Sequence, residues 1–239
     1  VGHRLTVAVE RAEHRLAELP LGGPDYLRVL ASLLAINNHN HTTKPKAVSD
    51  KTIRDRANFL FAFFKELRHR TNFNNLDPRS LANRHIEAMV ARWVERGLST
   101  ATIHCYLSFL RTFGTWIGKP GMVQEPSYYV GEASPHAHRS QVARSDASWT
   151  AKQVDIAAKI EQVGKEDAWV GLQLALCYHF GLRAKEARHF RPHEAVISRE
   201  DAKPADAAAH PEVTTFIRVV YGTKGGRARD IPLLTEEQH

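Results

Sequence analysis

The chain has 239 residues, 43% of them hydrophobic and 25% charged, which excludes a disordered tail or a fibrous repeat and fits one large or two small folded domains. Lys and Arg outnumber Asp and Glu by 33 to 26, a formal net charge of +7. Two cysteines, Cys105 and Cys177, exclude a disulfide framework and a Cys-rich zinc module, and no apolar run approaches the ~20 residues needed to span a bilayer. Arg4, Glu10, Arg11 and Glu13 occupy the place of a signal-type apolar core, so the expectation is a soluble cytoplasmic protein without a membrane partner.

In chain order, Leu5, Val9, Ala12, Leu16 and Leu19 repeat at helical spacing, and Pro20 to Pro24 stops that helix. A second helix is expected from Asp25 to about Ile36, followed by a polar linker, Asn37 to Pro45. Ser49 or Asp50 caps a third helix with the stripe Ile53, Ala57, Leu60, Phe64 and Leu67. Asp77-Pro78 is an N-cap followed by proline, starting a helix through Leu81, Ile86, Met89, Val90 and Trp93 to Gly97. Ser99 caps the next, with Ile103, Leu107, Leu110 and Ile117 on one side and Thr102, His104, Ser108 and Arg111 on the other.

Residues 121–148 mix Pro, Gly, His and Ser without periodicity and are expected to be an inter-domain linker. Thr150 with Gln153 gives a capping-box signal for a helix bearing Val154, Ala157, Ile160 and Val163 and ended by Gly164. The apolar stretch Trp169–Phe180 is expected at the centre of a second core, with helix continuing to about His189. Thr214–Tyr221 and Arg227–Leu233, joined by Gly222–Gly226, predict a β-hairpin, and Leu234–Glu237 the start of a further helix. The domains expected are thus a helical extension, 1–43, a helical bundle, 44–120, a linker, 121–148, and a second domain, 149–239.

The charge is unevenly spread. Residues 1–43 carry four basic and four acidic side chains, 44–119 fourteen against six, and 120–239 fifteen against sixteen. A surplus of eight positive charges in one helical segment points to a nucleic-acid partner, the plainer alternative being a solvated helix surface. The close histidine pairs His39/His41 and His136/His138 lie in polar loops without a Cys partner or a His-Glu-x-x-His spacing, so no metal site is expected.

Two local features follow the basic segment: Gly181-Leu182-Arg183-Ala184-Lys185-Glu186, and Thr223-Lys224-Gly225-Gly226-Arg227-Ala228-Arg229-Asp230-Ile231-Pro232-Leu233. Singly, the first reads as a helix-surface ion pair and the second as an ordinary solvated turn. In this order, behind a bundle containing Val48–Ile53, Arg96–Ile103 and Tyr106–Arg111, they resemble the tyrosine recombinase (phage integrase) family over about residues 45–239. The resemblance implies a mainly α chain. A helical core-binding (SAM-like) bundle would precede an incomplete mixed α/β catalytic domain with a small antiparallel β-hairpin or sheet. It also implies catalytic roles for Arg183, Lys224 and Glu186.

A guanidinium at Arg183 can hold two oxygens of the five-coordinate phosphorane formed when a hydroxyl attacks DNA, and an ammonium at Lys224 can donate a proton to the leaving 5′ oxygen. Glu186, one turn beyond Arg183, would orient catalytic side chains. The bundle would grip double-stranded DNA, with Lys51, Arg54, Arg56, Arg68 and Arg111 on phosphates and Thr102, His104 and Ser108 facing a groove. The resemblance further implies strand exchange through a 3′-phosphotyrosyl intermediate in a tetrameric synapse without metal or cofactor, as part of a prokaryotic or phage mobile element at the nucleoid.

The chain departs from the family pattern in Phe180 before Gly181, in Ala184-Lys185 after Arg183, and in the long Arg183 to Lys224 spacing across Asp201–Pro211. The family's His-x-x-Arg box and nucleophilic tyrosine lie beyond the hairpin, where only Thr235–His239 follow here, so a fragment lacking the nucleophile is expected. His136-Ala137-His138-Arg139 matches His-x-x-Arg by letters but precedes Arg183 and is not taken as that box. The alternative is a non-catalytic DNA-binding integrase relative that occupies sites as a regulator.

Overall fold

The computed structural model describes residues 2–22, 24–41, 47–140, 142, 145–146 and 148–238. They form two compact units, 1–142 and 143–239.

In the first unit, α1 (Gly2–Glu18) and α2 (Tyr26–Asn37) form a helical hairpin, and α3 (Asp50–Arg70), α4 (Asn83–Glu95), α5 (Thr100–Trp116) and the short α6 (Pro126–Val130) follow. Ser49 and Ser99 cap α3 and α5 as expected, each hydroxyl accepting the N–H three residues on, of Thr52 and Thr102, at 3.2 Å. Leu60, Phe64 and Leu67 of α3 meet Ile86, Met89 and Trp93 of α4 and Ile103, Leu107, Leu110 and Phe113 of α5 in one core. Leu19, Val29, Leu30, Leu33 and Leu34 belong to that same core, so the α1–α2 hairpin is an integral layer of the bundle rather than an appendage. The Leu5 side chain and the expected boundary between residues 43 and 44 lie outside the described residues.

Three expected features of this unit are corrected. Asn38, assigned to a polar linker, is buried, with its amide donating to the Ile53 carbonyl at 2.8 Å and its oxygen accepting from Arg56 at 3.1 Å. Asp77-Pro78 opens only a 3-10 turn, Pro78–Ser80, because Leu81 leaves helical geometry. The stretch 121–140 is not a free linker: Val123 and Ala137 are buried, and α6 packs on α4.

A separate device starts α4. The Ala82 N–H donates to Nδ1 of His85, which substitutes for the usual Glu or Gln of a capping box. Burial, reinforced by the charges of Arg84 and Lys119, lowers the His85 pKa from 6.5 to about 4. The unfolded chain takes up this proton below 6.5 and the folded chain only near 4, so the stabilisation is complete above 6.5 and lost as pH falls between those values. Stability of the 1–142 unit should therefore drop by about 2–3 kcal/mol across that window. Denaturant midpoints of His85→Gln, which keeps the cap acceptor without the titration, should show no such step; an identical step in both proteins refutes the assignment.

The second unit begins with α7 (Ile156–Glu166) and α8 (Ala168–Phe180). The cap of α7 is Asp155, accepting the Ala158 N–H at 3.0 Å, rather than Thr150, and Gln153 adopts a left-handed conformation incompatible with the expected helix start. Gly164 does not end α7. It lies against Gly171 of α8, where a Cβ on Gly171 would come within 2.5 Å of the Gly164 Cα, so the two helices cross at backbone contact.

The expected central position of α8 is also corrected: Gly171 is its buried residue, while Trp169 is 61% exposed and Leu172 and Tyr178 are exposed too. The core lies instead around Leu182, Ala187, Ala195, Ile217, Val219 and Leu233, with Leu176, Cys177 and Phe180 of α8 at its margin. Gly181, left-handed at φ 58°, breaks the helix before α9 (Ala184–Arg188). Then come α10 (Pro192–Ala195), β1 (Val196–Ser198), α11 (Pro204–Ala209), β2 (Thr215–Val219) and β3 (Arg229–Pro232). The strands make an antiparallel sheet in the order β1-β2-β3, with Phe216 opposite Pro232 and Val219 opposite Arg229. The hairpin is as expected; β1 adds a third strand, and a 3-10 turn at Glu236–Gln238 stands where a helix start was expected. The architecture is mainly helical with one small antiparallel sheet.

Candidate active site and nucleic-acid interface

Arg183 is the N-cap of α9 and Glu186 its third residue. The Glu186 side chain is 0% exposed. One of its oxygens, Oε1, accepts from Arg183 Nη1 at 2.6 Å; the other, Oε2, accepts the Arg183 backbone N–H at 2.8 Å and Nη2 of Arg229 at 2.7 Å. Burial alone would raise the Glu186 carboxyl, but these hydrogen bonds and the Arg229 charge outweigh it and hold the pKa below the usual 4.5. Two guanidiniums thus share one buried carboxylate, leaving a net positive charge at the surface. The Arg183 side chain is 59% exposed, with Nη2 free of protein partners among the described residues.

Lys224 sits in the β2–β3 connection, exposed, in a turn where Gly225 and Gly226 have φ of 75° and 69°. The hairpin that carries it lies directly on the Arg183 segment. At Gly222 (φ 76°) a Cβ would stand 2.5 Å from the Lys185 carbonyl oxygen and 3.0 Å from the Glu186 Cα, so only glycine permits this approach. Beyond the turn, Arg229 reaches Glu186 and also donates to the Gly181 carbonyl at 3.0 Å. The next residue, Asp230, is buried and pairs with Arg218 at 2.9 Å while accepting the Lys203 N–H at 2.8 Å, which ties β3 to the start of α11. The Arg218 guanidinium, over the opposing effect of burial, holds the Asp230 carboxyl below its ordinary value. Arg183, Glu186 and the Lys224 hairpin are therefore brought together; Arg229, part of the hairpin motif but given no role from sequence, joins them.

In the first unit, α3 and α5 run side by side, Phe59 stacking on Tyr106 at 4.4 Å and Phe64 meeting Phe113 at 5.4 Å. Their N-terminal ends consequently lie together, with Lys51 and Asp55 of α3 and Arg139 within electrostatic reach of Cys105 of α5. Lys51 pairs with Asp55, and Arg54 is exposed without a protein partner among the described residues. Thr102 is bonded to the Ser99 cap, Ser108 is exposed, and His104 Nε2 lies 2.9 Å from the His136 carbonyl.

Three basic residues fall elsewhere. Arg56 requires correction as a phosphate contact: it is 7% exposed, donates to Asn38 and lies over the Trp116 ring at 5.4 Å, because its place on α3 faces the α2 end of the core. Arg68, near the far end of α3, donates to the Leu76 carbonyl at 2.7 Å and lies over Tyr26 at 4.3 Å. Arg111 donates to the Gln124 carbonyl at 2.8 Å and pairs with Glu125 at 3.2 Å. A second basic patch, formed by Lys65, His69, Arg70, Arg92 and Arg96 around Glu66, also escaped the sequence reading, because it assembles from the two helices α3 and α4.

Among the described residues, no three His, Cys, Asp or Glu side chains are grouped to hold a metal, and no helix is long and apolar enough to cross a membrane. Five of the six tyrosines have other engagements: Tyr128 donates to Glu87 and Tyr129 to Asn83, Tyr106 stacks on Phe59, and Tyr26 and Tyr221 carry arginines over their rings; the sixth, Tyr178, is exposed beside His179.

Searches of curated proteins and of solved structures found no match. Two family models do match. One, described as phage integrase, N-terminal, covers residues 37–123, and one described as integrase covers residues 138–239. Between them they take in the α3–α5 bundle and the whole Arg183–Glu186–hairpin assembly, and on this ground the chain belongs to the tyrosine recombinase (phage integrase) family of site-specific recombinases.

Proposed function

We propose that this protein binds duplex DNA and takes part in cleaving and rejoining its strands, with Arg183 and Lys224 acting on the scissile phosphate. The observation that carries the reading is the buried Glu186, which holds Arg183 and the lysine-bearing hairpin on one short segment. In the step proposed, a tyrosine hydroxyl gives up its proton to solvent as its oxygen attacks phosphorus, a phosphotyrosyl bond forms, and the bond to the 5′ oxygen breaks. Arg183 carries the added negative charge of the phosphorane through its open guanidinium edge. Lys224 gives its proton to the departing 5′ oxygen and is reprotonated from solvent. Glu186 is a positioning residue. The nucleophile is not assigned to any of the six tyrosines in residues 1–239. The step calls on no metal or cofactor, and a tetrameric synapse on DNA belongs to the same proposal.

DNA contacts are assigned to the paired N-terminal ends of α3 and α5. Lys51 and Arg54 supply charge to phosphates, Thr102, His104 and Ser108 offer polar groups, and Arg139 is added from the connector. Each phosphate contact contributes about 0.9 to the slope of log affinity against log salt. The double variant Lys51→Ala/Arg54→Ala should weaken duplex binding and flatten that slope by about 1.8. An unchanged slope places the DNA on another face.

The function itself is tested with the protein as its gene encodes it and a nicked suicide substrate, scored for a covalent protein–DNA adduct. An adduct supports the enzyme reading. Salt-dependent binding without an adduct supports the regulator that occupies sites, and no DNA affinity at low salt removes both.

A further inference from the structure

We propose that Arg229 is a positioning residue that sets Lys224 against Arg183 by locking the outgoing side of the hairpin to Glu186, an inference that rests on the catalytic reading of Lys224 given above. The Lys224 side chain has no protein partner of its own among the described residues, and around it the turn is closed only by the Gly226 N–H donating to the Thr223 carbonyl at 3.3 Å and the Thr223 hydroxyl donating to the Val220 carbonyl at 3.1 Å, with two left-handed glycines following the lysine. Whatever fixes the lysine must act through the flanks of the turn. The incoming flank is held sterically, where Gly222 abuts the backbone of Lys185 and Glu186. The outgoing flank is fastened to α11 by Lys203, whose ammonium donates to the Ala228 carbonyl and whose N–H donates to Asp230, and to the Arg183 segment by Arg229, whose Nη2 bridges Glu186 Oε2 at 2.7 Å and the Gly181 carbonyl at 3.0 Å.

The Gly222 and Arg229 anchors both land on the segment that bears Arg183, and with Ala228 held by Lys203 the tip between them is residues 223–227. Glu186 divides its two oxygens accordingly: Oε1 serves the Arg183 side chain, while Oε2 serves the Arg183 N–H and Arg229. The Arg229 Nε is buried without a partner, so the bonds at Nη2 are what hold this guanidinium in place. Deleting it leaves Arg183 attached to Glu186 and the strand pairing in place, and removes only the polar tie between the hairpin and the Arg183 segment.

The test uses Arg229→Met, which keeps the apolar stem and removes the donors, after thermal unfolding has shown the variant folded. Backbone ¹⁵N relaxation of this chain should show a rigid tip in the wild type, and in Arg229→Met a drop in order parameter at 223–227 to below about 0.6, with the Arg183 amide unchanged. A tip equally rigid in both proteins, or already mobile in the wild type, overturns the proposal.

A second readout separates positioning from general damage. On an ordinary suicide substrate, Arg229→Met should cleave on the order of a hundredfold more slowly, the cost of a misplaced catalytic group. Replacing the bridging 5′ oxygen by sulfur gives a leaving thiolate that needs no proton. On that substrate Arg229→Met and Lys224→Ala should both return to nearly the wild-type rate, whereas Arg183→Ala should stay slow. Equal slowing of Arg229→Met on both substrates overturns the proposal. If the wild type forms no adduct with either, the catalytic reading fails, and the relaxation measurement still decides whether Arg229 holds the tip.

Discussion

Arg183→Ala is expected to reduce strand cleavage by about a hundredfold to a thousandfold while leaving duplex binding nearly intact. Loss of one preorganised donor to a developing oxyanion costs about 2.7–4 kcal/mol of transition-state stabilisation, which is that factor in rate. The geometry argues for a selective effect. Of the Arg183 guanidinium only Nη1 is bonded to Glu186, and the mostly exposed side chain keeps its remaining edge for a ligand. Glu186 retains Arg229 when Arg183 is removed, so the carboxylate is not stranded and the second unit should stay folded. Binding persists because the proposed phosphate contacts lie on α3 and α5. Arg183→Lys should recover a small part of the rate, since an ammonium supplies charge without the paired donors. Unchanged cleavage by the alanine variant, measured as single-turnover adduct formation, defeats the assignment.

Leu30→Ala should destabilise the whole 1–142 unit by about 2–5 kcal/mol, lowering its melting temperature by about 10 °C. Leu30 is 0% exposed and shares its core with Phe64, Met89 and Leu107, although α2 lies before the segment matched by the N-terminal integrase model. Removing its branched end opens a cavity in a layer that polar contacts also pin. Arg79 donates to the carbonyls of Leu19 and Pro20 at 3.0 and 2.8 Å, and the Gly22 N–H donates to Asp77 at 3.1 Å. The transition should stay single and shift as a whole. A separate early transition, with the main one unmoved, would mean that the α1–α2 hairpin unfolds independently.

What could be read from the sequence was local. Ser49 and Ser99 announce α3 and α5 because a cap and the helix it starts are neighbours in the chain, and the α3 stripe is legible because period and burial coincide. Where two local signals competed, reading failed: Thr150 with Gln153 has the letters of a capping box, yet the Asp155 carboxylate takes the cap. The apolar run of α8 reports composition and not direction, so its exposed Trp169 and Leu172 read as core. Long-range polar pairs were invisible. Arg56 looked like surface charge because Asn38, its partner, sits on another helix. Motif resemblance singled out the Arg183 segment and the Lys224 hairpin, which the structure places against each other, but not the tie between them, since Arg229 meets Glu186 from 43 positions away.

The attachment of the hairpin to the α9 cap limits how this site can be rebuilt. A loop carrying Lys224 cannot be exchanged as a cassette between related enzymes by matching the turn alone, because its seat is made by Gly222 on one side and Arg229 on the other. A graft that brings the lysine but places a side chain at 222 collides with the Lys185–Glu186 backbone, and one that omits the arginine arrives without its tether. The smallest transplantable unit is residues 222–229, and it needs a recipient with a carboxylate three residues after the arginine that caps α9.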